Sequence, residues 1–251
     1  MKITPAPWEK RNLGVTCVEV TIETADEISA VDHAVAQIDA QYQVVKIPCG
    51  RPDLLFHLQS LGFLVAEVLT TCSHDGLLAP LTRVQQKILD SLSCSQATSE
   101  DLESVYAELR SGMFTTDRVA IDPMFGIESA GHRYSGWLSD GIERGAMVYS
   151  LTHKNECVGF FVMESYSSKE WHATLGGIFP RHQRSGFGYF MNYLEIITAL
   201  AKGAKRVYTS FSSNNTAVSA IHFALGYRLV QQQYILIRHT KTLAAIGLSD
   251  I

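Results

Sequence analysis

The chain has 251 residues, 46% hydrophobic and 18% charged, with a formal net charge of −4. That length fits one or two domains with a sizeable core, and the modest charge content excludes a disordered chain. No basic stripe is available for a nucleic acid polymer, and no apolar run approaches the roughly 18 residues that cross a bilayer. The opening MKITPAPWEKR lacks the apolar core of a secretion signal, so a soluble, cytoplasmic protein is expected. The five cysteines (Cys17, Cys49, Cys72, Cys94 and Cys157) form no CxxC, and the nine histidines no HxxxH or HExxH. Buried free thiols and no metal are expected.

In chain order, Leu13–Ile22 is β-branched and strand-like. Ala25–Asp39 carries Ile28, Val31, Val35 and Ile38 on one helical face. Gln43–Ile47 is a short strand stopped by Pro48. Pro52 opens a helix at a first-turn position, where its missing N–H costs nothing, and Gly62 ends it. Phe63–Thr71 is the next strand. This β-α-β-α-β order predicts a sheet covered by helices.

Ser73–Thr98 changes texture and holds a short amphipathic stretch; a boundary is placed near residue 95, dividing the chain into 1–95 and 96–251. Thr98 and Asp101 form a variant capping box for a helix through Arg110. Tyr134–Arg144 reads as a second helix. Strands follow at Ala146–Thr152, Cys157–Tyr166 and Glu170–Phe179, joined by hairpins at 154–156 and 167–169. A glycine-containing loop feeds a helix over Gly188–Lys202, stopped by Gly203. Arg206–Ser212 is a strand, Thr216–Leu225 a helix and Tyr227–His239 a final strand. The tail from Thr240 to Ile251 has no assignment.

The chemistry concentrates at Gln183-Arg184-Ser185-Gly186-Phe187-Gly188, between a strand and an amphipathic helix. Backbone N–H groups at a helix N-terminus suit an anion such as a pyrophosphate, and glycines at 186 and 188 let it approach without a Cβ in the way. Alone, a GxG before a helix is also what a simple tight turn requires.

Gln183-x-x-Gly186-x-Gly188, with Asn215, Ala217, His222 and Leu225-Gly226-Tyr227 downstream, resembles the acyl-CoA signature of the GNAT acyltransferase superfamily over roughly residues 100–240. Three further features are similar to its TDP-fucosamine acetyltransferase branch, whose members act on nucleotide-linked amino sugars. An α/β unit with Trp8 and Leu13-Gly14-Val15 comes first; Asp122-Pro123-Met124-Phe125 leads to Ser129-Ala130-Gly131-His132-Arg133-Tyr134 and Trp137; and Asn215-Thr216-Ala217 precedes the last helix.

The resemblance implies an α/β fold with a mixed GNAT-type sheet. Two parallel strands would splay to bind coenzyme A, and a smaller GNAT-like α/β domain would come first. It implies direct transfer of an acyl group, acetyl or a longer or hydroxylated chain, from acyl-CoA to the amine of a dTDP-linked amino-dideoxyhexose, as in bacterial surface polysaccharide synthesis. Backbone near Gly177, Ile178 and Phe179 would hold the pantetheine and stabilise the oxyanion. Amides from Gln183 through Arg184, Ser185, Gly186 and Phe187 to Gly188 would hold the pyrophosphate, flanked by Arg181 and Arg184. Asn215 would face the pantetheine or cap its helix.

Many family members place a proton-donating tyrosine where this chain has His222, a departure that matters: a phenol (pKa about 10) stays protonated at neutral pH and an imidazole (pKa about 6.5) is mostly neutral. His222 is expected as the general acid, or as the carrier of both proton steps, against the bland reading of a space-filling histidine. Glu164 is the candidate base, with Asp122 and His132 weaker ones; its face on the strand is undecided. His132, Arg133, Tyr134 and Trp137 are the candidate sugar-nucleotide set, with Arg133 on the diphosphate. Other readings are an acyltransferase for another small amine or a protein N-terminus, and a non-catalytic CoA-binding sensor. A homodimer is expected by analogy with the branch.

Overall fold

The computed structural model describes residues 1–240. The first half runs β1 (Lys2–Pro5), α1 (Pro7–Leu13), β2 (Cys17–Thr21), α2 (Ile28–Ala36), β3 (Tyr42–Pro48), α3 (Pro52–Ser60), β4 (Leu64–His74), α4 (Arg83–Asp90) and β5 (Leu92–Gln96). The second runs α5 (Ser99–Arg110), α6 (Gly126–Glu143), β6 (Met147–His153), β7 (Glu156–Ser165), β8 (Glu170–Ile178), α7 (Phe187–Ala201), β9 (Arg206–Ser212), α8 (Thr216–Ala224) and β10 (Arg228–His239). Only Thr240 of the unassigned tail lies within the described residues, among which no helix is long and apolar enough to cross a membrane.

Local chemistry accounts for the element ends. Thr98 and Asp101 make the expected reciprocal capping box, Asp101 N to Thr98 Oγ1 at 3.2 Å and Thr98 N to Asp101 Oδ2 at 2.9 Å. Lys154 and Asn155 both have positive φ, which matches the two-residue hairpin between β6 and β7 to strand twist. Several elements depart from expectation: β1 and β5 lie where the sequence suggests no strand, and two helices have other bounds. Leu13 ends a helix rather than starting a strand, because Pro7 sits in the first turn and Gly14 stops it at φ 75°. Helix α6 begins at Gly126, well before Tyr134. Its small residues serve packing: a Cβ on Gly131 would lie 2.7 Å from the Leu109 carbonyl oxygen, so α6 meets the end of α5 backbone to backbone.

The ten strands of the described residues form one mixed sheet in the order β1-β2-β3-β10-β4-β9-β8-β7-β6-β5. Only β2–β3 and β8–β9 are parallel. The expected boundary near residue 95 falls inside β5, and β10 from the second half is seated between β3 and β4 of the first. One sheet therefore passes through both halves. Helices α5 and α6 cover one face of β6–β8, with Val105, Leu109, Leu138, Phe160 and Phe179 buried between. Helix α7 covers the other face through Phe187, Met191 and Ala199.

A buried charge network ties α1 and β2 to α6. Glu9 Oε1 accepts from Arg133 Nε at 2.7 Å, and Arg133 Nη1 donates to Asp117 at 3.2 Å. Arg118 bridges Glu9 and Glu19, and Lys46 donates to Glu19 at 2.7 Å. Removing one member of such a set leaves its partners charged and dry. Glu9→Ala should therefore lower the unfolding free energy by about 3–5 kcal/mol, measured by urea denaturation; a loss below about 1 kcal/mol, the range of exposed pairs, would contradict this account.

Candidate active site

The parallel ladder between β8 and β9 stops at Ala173–Thr209, although β8 runs on to Ile178 and β9 to Ser212. Beyond it the strands find other partners: β8 stays with β7 across a register shift between Val162 and Met163, and β9 stays with β4. A gap opens in mid-sheet. Phe179 N donates to Val158 O, so alternation along the β7–β8 ladder turns the amides of Ile178 and Gly176 away from β7, toward the gap. The expected donor set is corrected accordingly: the Phe179 amide is already spent. Glycines are needed here for packing. A Cβ on Gly177 would lie 2.8 Å from Met113 Cε, and one on Gly176 3.1 Å from Glu195 Oε1.

After a single 3-10 turn over Pro180–His182, the chain bends through Arg184 (φ 66°) and Gly186 (φ 85°) into α7. Phe187 N takes the Ser185 hydroxyl at 3.2 Å. Among the described residues, no acceptor meets the amides of Arg184, Ser185, Gly186 or Gly188. The Phe187 ring is buried against His153, so only its backbone belongs to the bend. Arg181 is bound to Glu156 (3.0 Å) and Glu108 (3.1 Å), while Arg184 has no ion pair among the described residues and is exposed.

A cavity of about 640 Å³ runs from α6 and β4 across the gap to α7 and α8. It brings together Arg133, Tyr134, Trp137, Glu164, Asn215 and His222. His132 is left out, exposed on another side of α6. Asn215 caps α8, as one of its two readings expects, its Oδ1 accepting from Val218 N at 3.2 Å, and it also lines the cavity. Tyr134 and Trp137 meet edge to face at 5.6 Å. Arg133 is 1% exposed, stacked 3.8 Å over Trp137 and saturated by Glu9 and Asp117; the expected free cation for a diphosphate is a buried structural ion. Glu164 faces the cavity with Oε1 held by Arg144 at 3.1 Å.

His222 is buried between Phe211 and Tyr227. Its Nδ1 lies 2.8 Å from the Val218 carbonyl, which can only accept, so Nδ1 carries the hydrogen and Nε2 presents a lone pair. Nε2 has no partner among the described residues, and burial pushes the pKa below the ordinary value. In this state Nε2 can take a proton, the first part of the two-step role expected of His222, and can donate one only after it has done so.

Two carboxyls were missed. Glu195 on α7 is 3% exposed and lines the gap with Oε2 unpartnered; burial raises its pKa to about 8. Its signal is an acid four residues after Met191 and four before Ala199, in register with a buried helix face. Glu67 on β4 is 6% exposed, also with Oε2 unpartnered; its signal is a carboxylate within the apolar run LVAEVL.

The overall fold is similar to that of solved structures of GCN5-related N-acetyltransferases. A GCN5-related N-acetyltransferase from Sphaerobacter thermophilus superposes with a TM-score of 0.61 at 10% identity, covering 94% of this chain and 76% of that one. One from Kribbella flavida gives 0.56 at 14% identity, covering 92% and 84%. A tandem GNAT protein of the clavulanic acid biosynthesis pathway gives 0.53 at 11% identity, covering 90% and 77%. No protein-family model and no curated protein sequence matches the chain.

A carboxyl that keeps its proton when folded and loses it when unfolded destabilises the fold as pH rises. The Glu195 contribution to the unfolding free energy should fall between about pH 4.5 and about pH 8, so Glu195→Gln should remove that part of the slope and be more stable than the wild type at pH 8. Urea midpoints across pH measure both; an unchanged slope would show that Glu195 is ionised in the native protein.

Proposed function

We propose that the protein is an acyl-CoA-dependent N-acyltransferase. The carrying observation is the presence in one fold of three features: a mid-sheet gap edged by the amides of Gly176 and Ile178, a bend with unpaired amides at Arg184, Ser185, Gly186 and Gly188, and a cavity that crosses the gap. The bend suits a pyrophosphate by charge and geometry, with exposed Arg184 beside it. Amides at the gap suit a thioester carbonyl as it gains negative charge. The acceptor ammonium enters through the cavity and gives one proton to the His222 lone pair; the free amine attacks the thioester carbon, the C–S bond breaks, and the second proton lost by the attacking nitrogen goes to the departing thiolate, which leaves through the gap as the thiol. Glu164 is the weaker base, because Arg144 occupies it. Glu195, on the α7 side, holds its proton at neutral pH.

The finer reading from the sequence makes the acceptor a dTDP-linked amino-dideoxyhexose, with acetyl or a longer acyl group as donor. The aromatic pair Tyr134 and Trp137 supports it as a platform for a base or sugar; the saturation of Arg133 weighs against it. The first half of the chain is proposed as a GNAT-like unit, supported by its β-α-β-α-β order and by the tandem relative. Homodimer formation rests on analogy with the sugar branch alone.

Calorimetric titration of the full chain should show acetyl-CoA binding, and Gly186→Val, which forces a β-branched residue to φ 85°, should weaken it at least tenfold. No binding would overturn the reading. With an accepted amine, thiol release should fall away on the acid side of a pKa below 6.5, and His222→Phe should abolish that limb and lower kcat by about 10²–10⁴-fold. An unchanged kcat would remove His222 from the chemistry, whereas acetyl-CoA binding with no turnover of any amine would favour the sensor reading.

A further inference from the structure

Every cation lining the cavity is already engaged. Lys46 is bound to Glu19 at 2.7 Å, Arg118 to Glu19 at 2.9 Å, Arg133 to Glu9 at 2.7 Å and Asp117 at 3.2 Å, and Arg144 to Glu164 at 3.1 Å. Of the lining carboxyls, Asp140 is held by Arg11 at 2.7 Å. Two carboxyls have no ion pair among the described residues, Glu67 and Glu195. They lie on opposite faces of the sheet, Glu67 on the α6 side with Lys46 and Ile235, Glu195 beneath Gly176 on the α7 side. Glu195 keeps its proton. Glu67 is the other: burial raises its pKa too, but the Ser212 hydroxyl beside it, at the end of β9 where the gap opens, and the charge of nearby Arg118 favour its ionised form, for which no ion pair is made among the described residues. Its Oε2 is buried, lines the cavity and meets no donor.

An anionic ligand entering here would face Glu67 and could gain a counter-charge only by drawing a cation off its carboxylate, most readily the exposed Arg144 from Glu164. An ammonium would give Glu67 the partner it lacks and bring the set near neutrality. Resting on the acyl-transfer reading, we infer that the acceptor is a primary ammonium compound without phosphate or other anionic group, and that Glu67, from the first half of the chain, is the carboxylate that seats it.

The test is calorimetric titration of the full chain, without acetyl-CoA, using 1,4-diaminobutane, D-glucosamine and TDP in turn. At least one amine should bind and TDP should not. Glu67→Gln should weaken the amine at least tenfold while acetyl-CoA affinity is unchanged, which also certifies the fold of the variant; Glu67→Asp should lie between. Binding of TDP in competition with the amine, failure of both amines in a protein that binds acetyl-CoA, or undiminished amine binding by Glu67→Gln would each overturn the inference. If Glu67→Gln does not fold, the competition between amine and TDP in the wild type decides it. Amine binding by a protein that ignores acetyl-CoA would uphold the Glu67 seat and overturn acyl transfer.

Discussion

The structure depends on the parting of β8 and β9 after Ala173–Thr209. A sheet interrupted in its middle leaves backbone donors and acceptors without partners, a cost that folded proteins avoid. Here both strands keep their outer neighbours, β7 and β4, so each loses only one edge. The freed edges line a cavity instead of an apolar core, and polar groups from both sides of the sheet reach it. Held open by neighbours on either side, the gap is a stable feature of the fold.

The neighbour on the β9 side comes from the first half of the chain. β4 pairs with β9 on one edge and with β10 on the other, so the last strand locks the early unit against the late one. The ion network through Glu9, Arg133, Arg118 and Glu19 does the same between α1, β2 and α6. Buried ion pairs of this kind contribute little net stability, because desolvation offsets attraction; what they give is register. Arg133 and Trp137 are thereby fixed in the cavity wall, as is the face of β4 that carries Glu67.

Much of this was legible. β9 occupies the expected residues, and α7, α8 and β10 differ by a residue or so at their ends, because apolar spacing, Gly203 and the Asn215 cap are local signals. The bend before α7 was legible for the same reason: its glycines and its place between strand and helix are adjacent in sequence. What could not be read was non-local. Nothing near Arg228 says that β10 will lie between β3 and β4, and Arg133, read by its neighbours, looks like a surface cation because Glu9 is 124 positions away. Glu195 and Glu67 were invisible for a related reason. A single carboxylate in an apolar segment reads as the solvent-facing member of an amphipathic pattern, and only the packed structure turns it inward.

The same distinction separates the two ends of the site. At the bend the protein offers backbone amides, which keep their polarity whatever side chains surround them, so a pattern of glycines suffices to announce them. At the cavity it offers side chains whose chemistry is set by burial and partners. The His222 ring is a proton acceptor because Val218 takes its other hydrogen, and Arg133 is a strut because Glu9 neutralises it. Glu67 stands apart on the α6 side of the sheet because no cation completes it. On the proposed reading, donor binding is written locally and acceptor recognition in tertiary contacts. On that account relatives with the same bend and different partners for Arg133 and Glu67 would share a donor and differ in what they acylate.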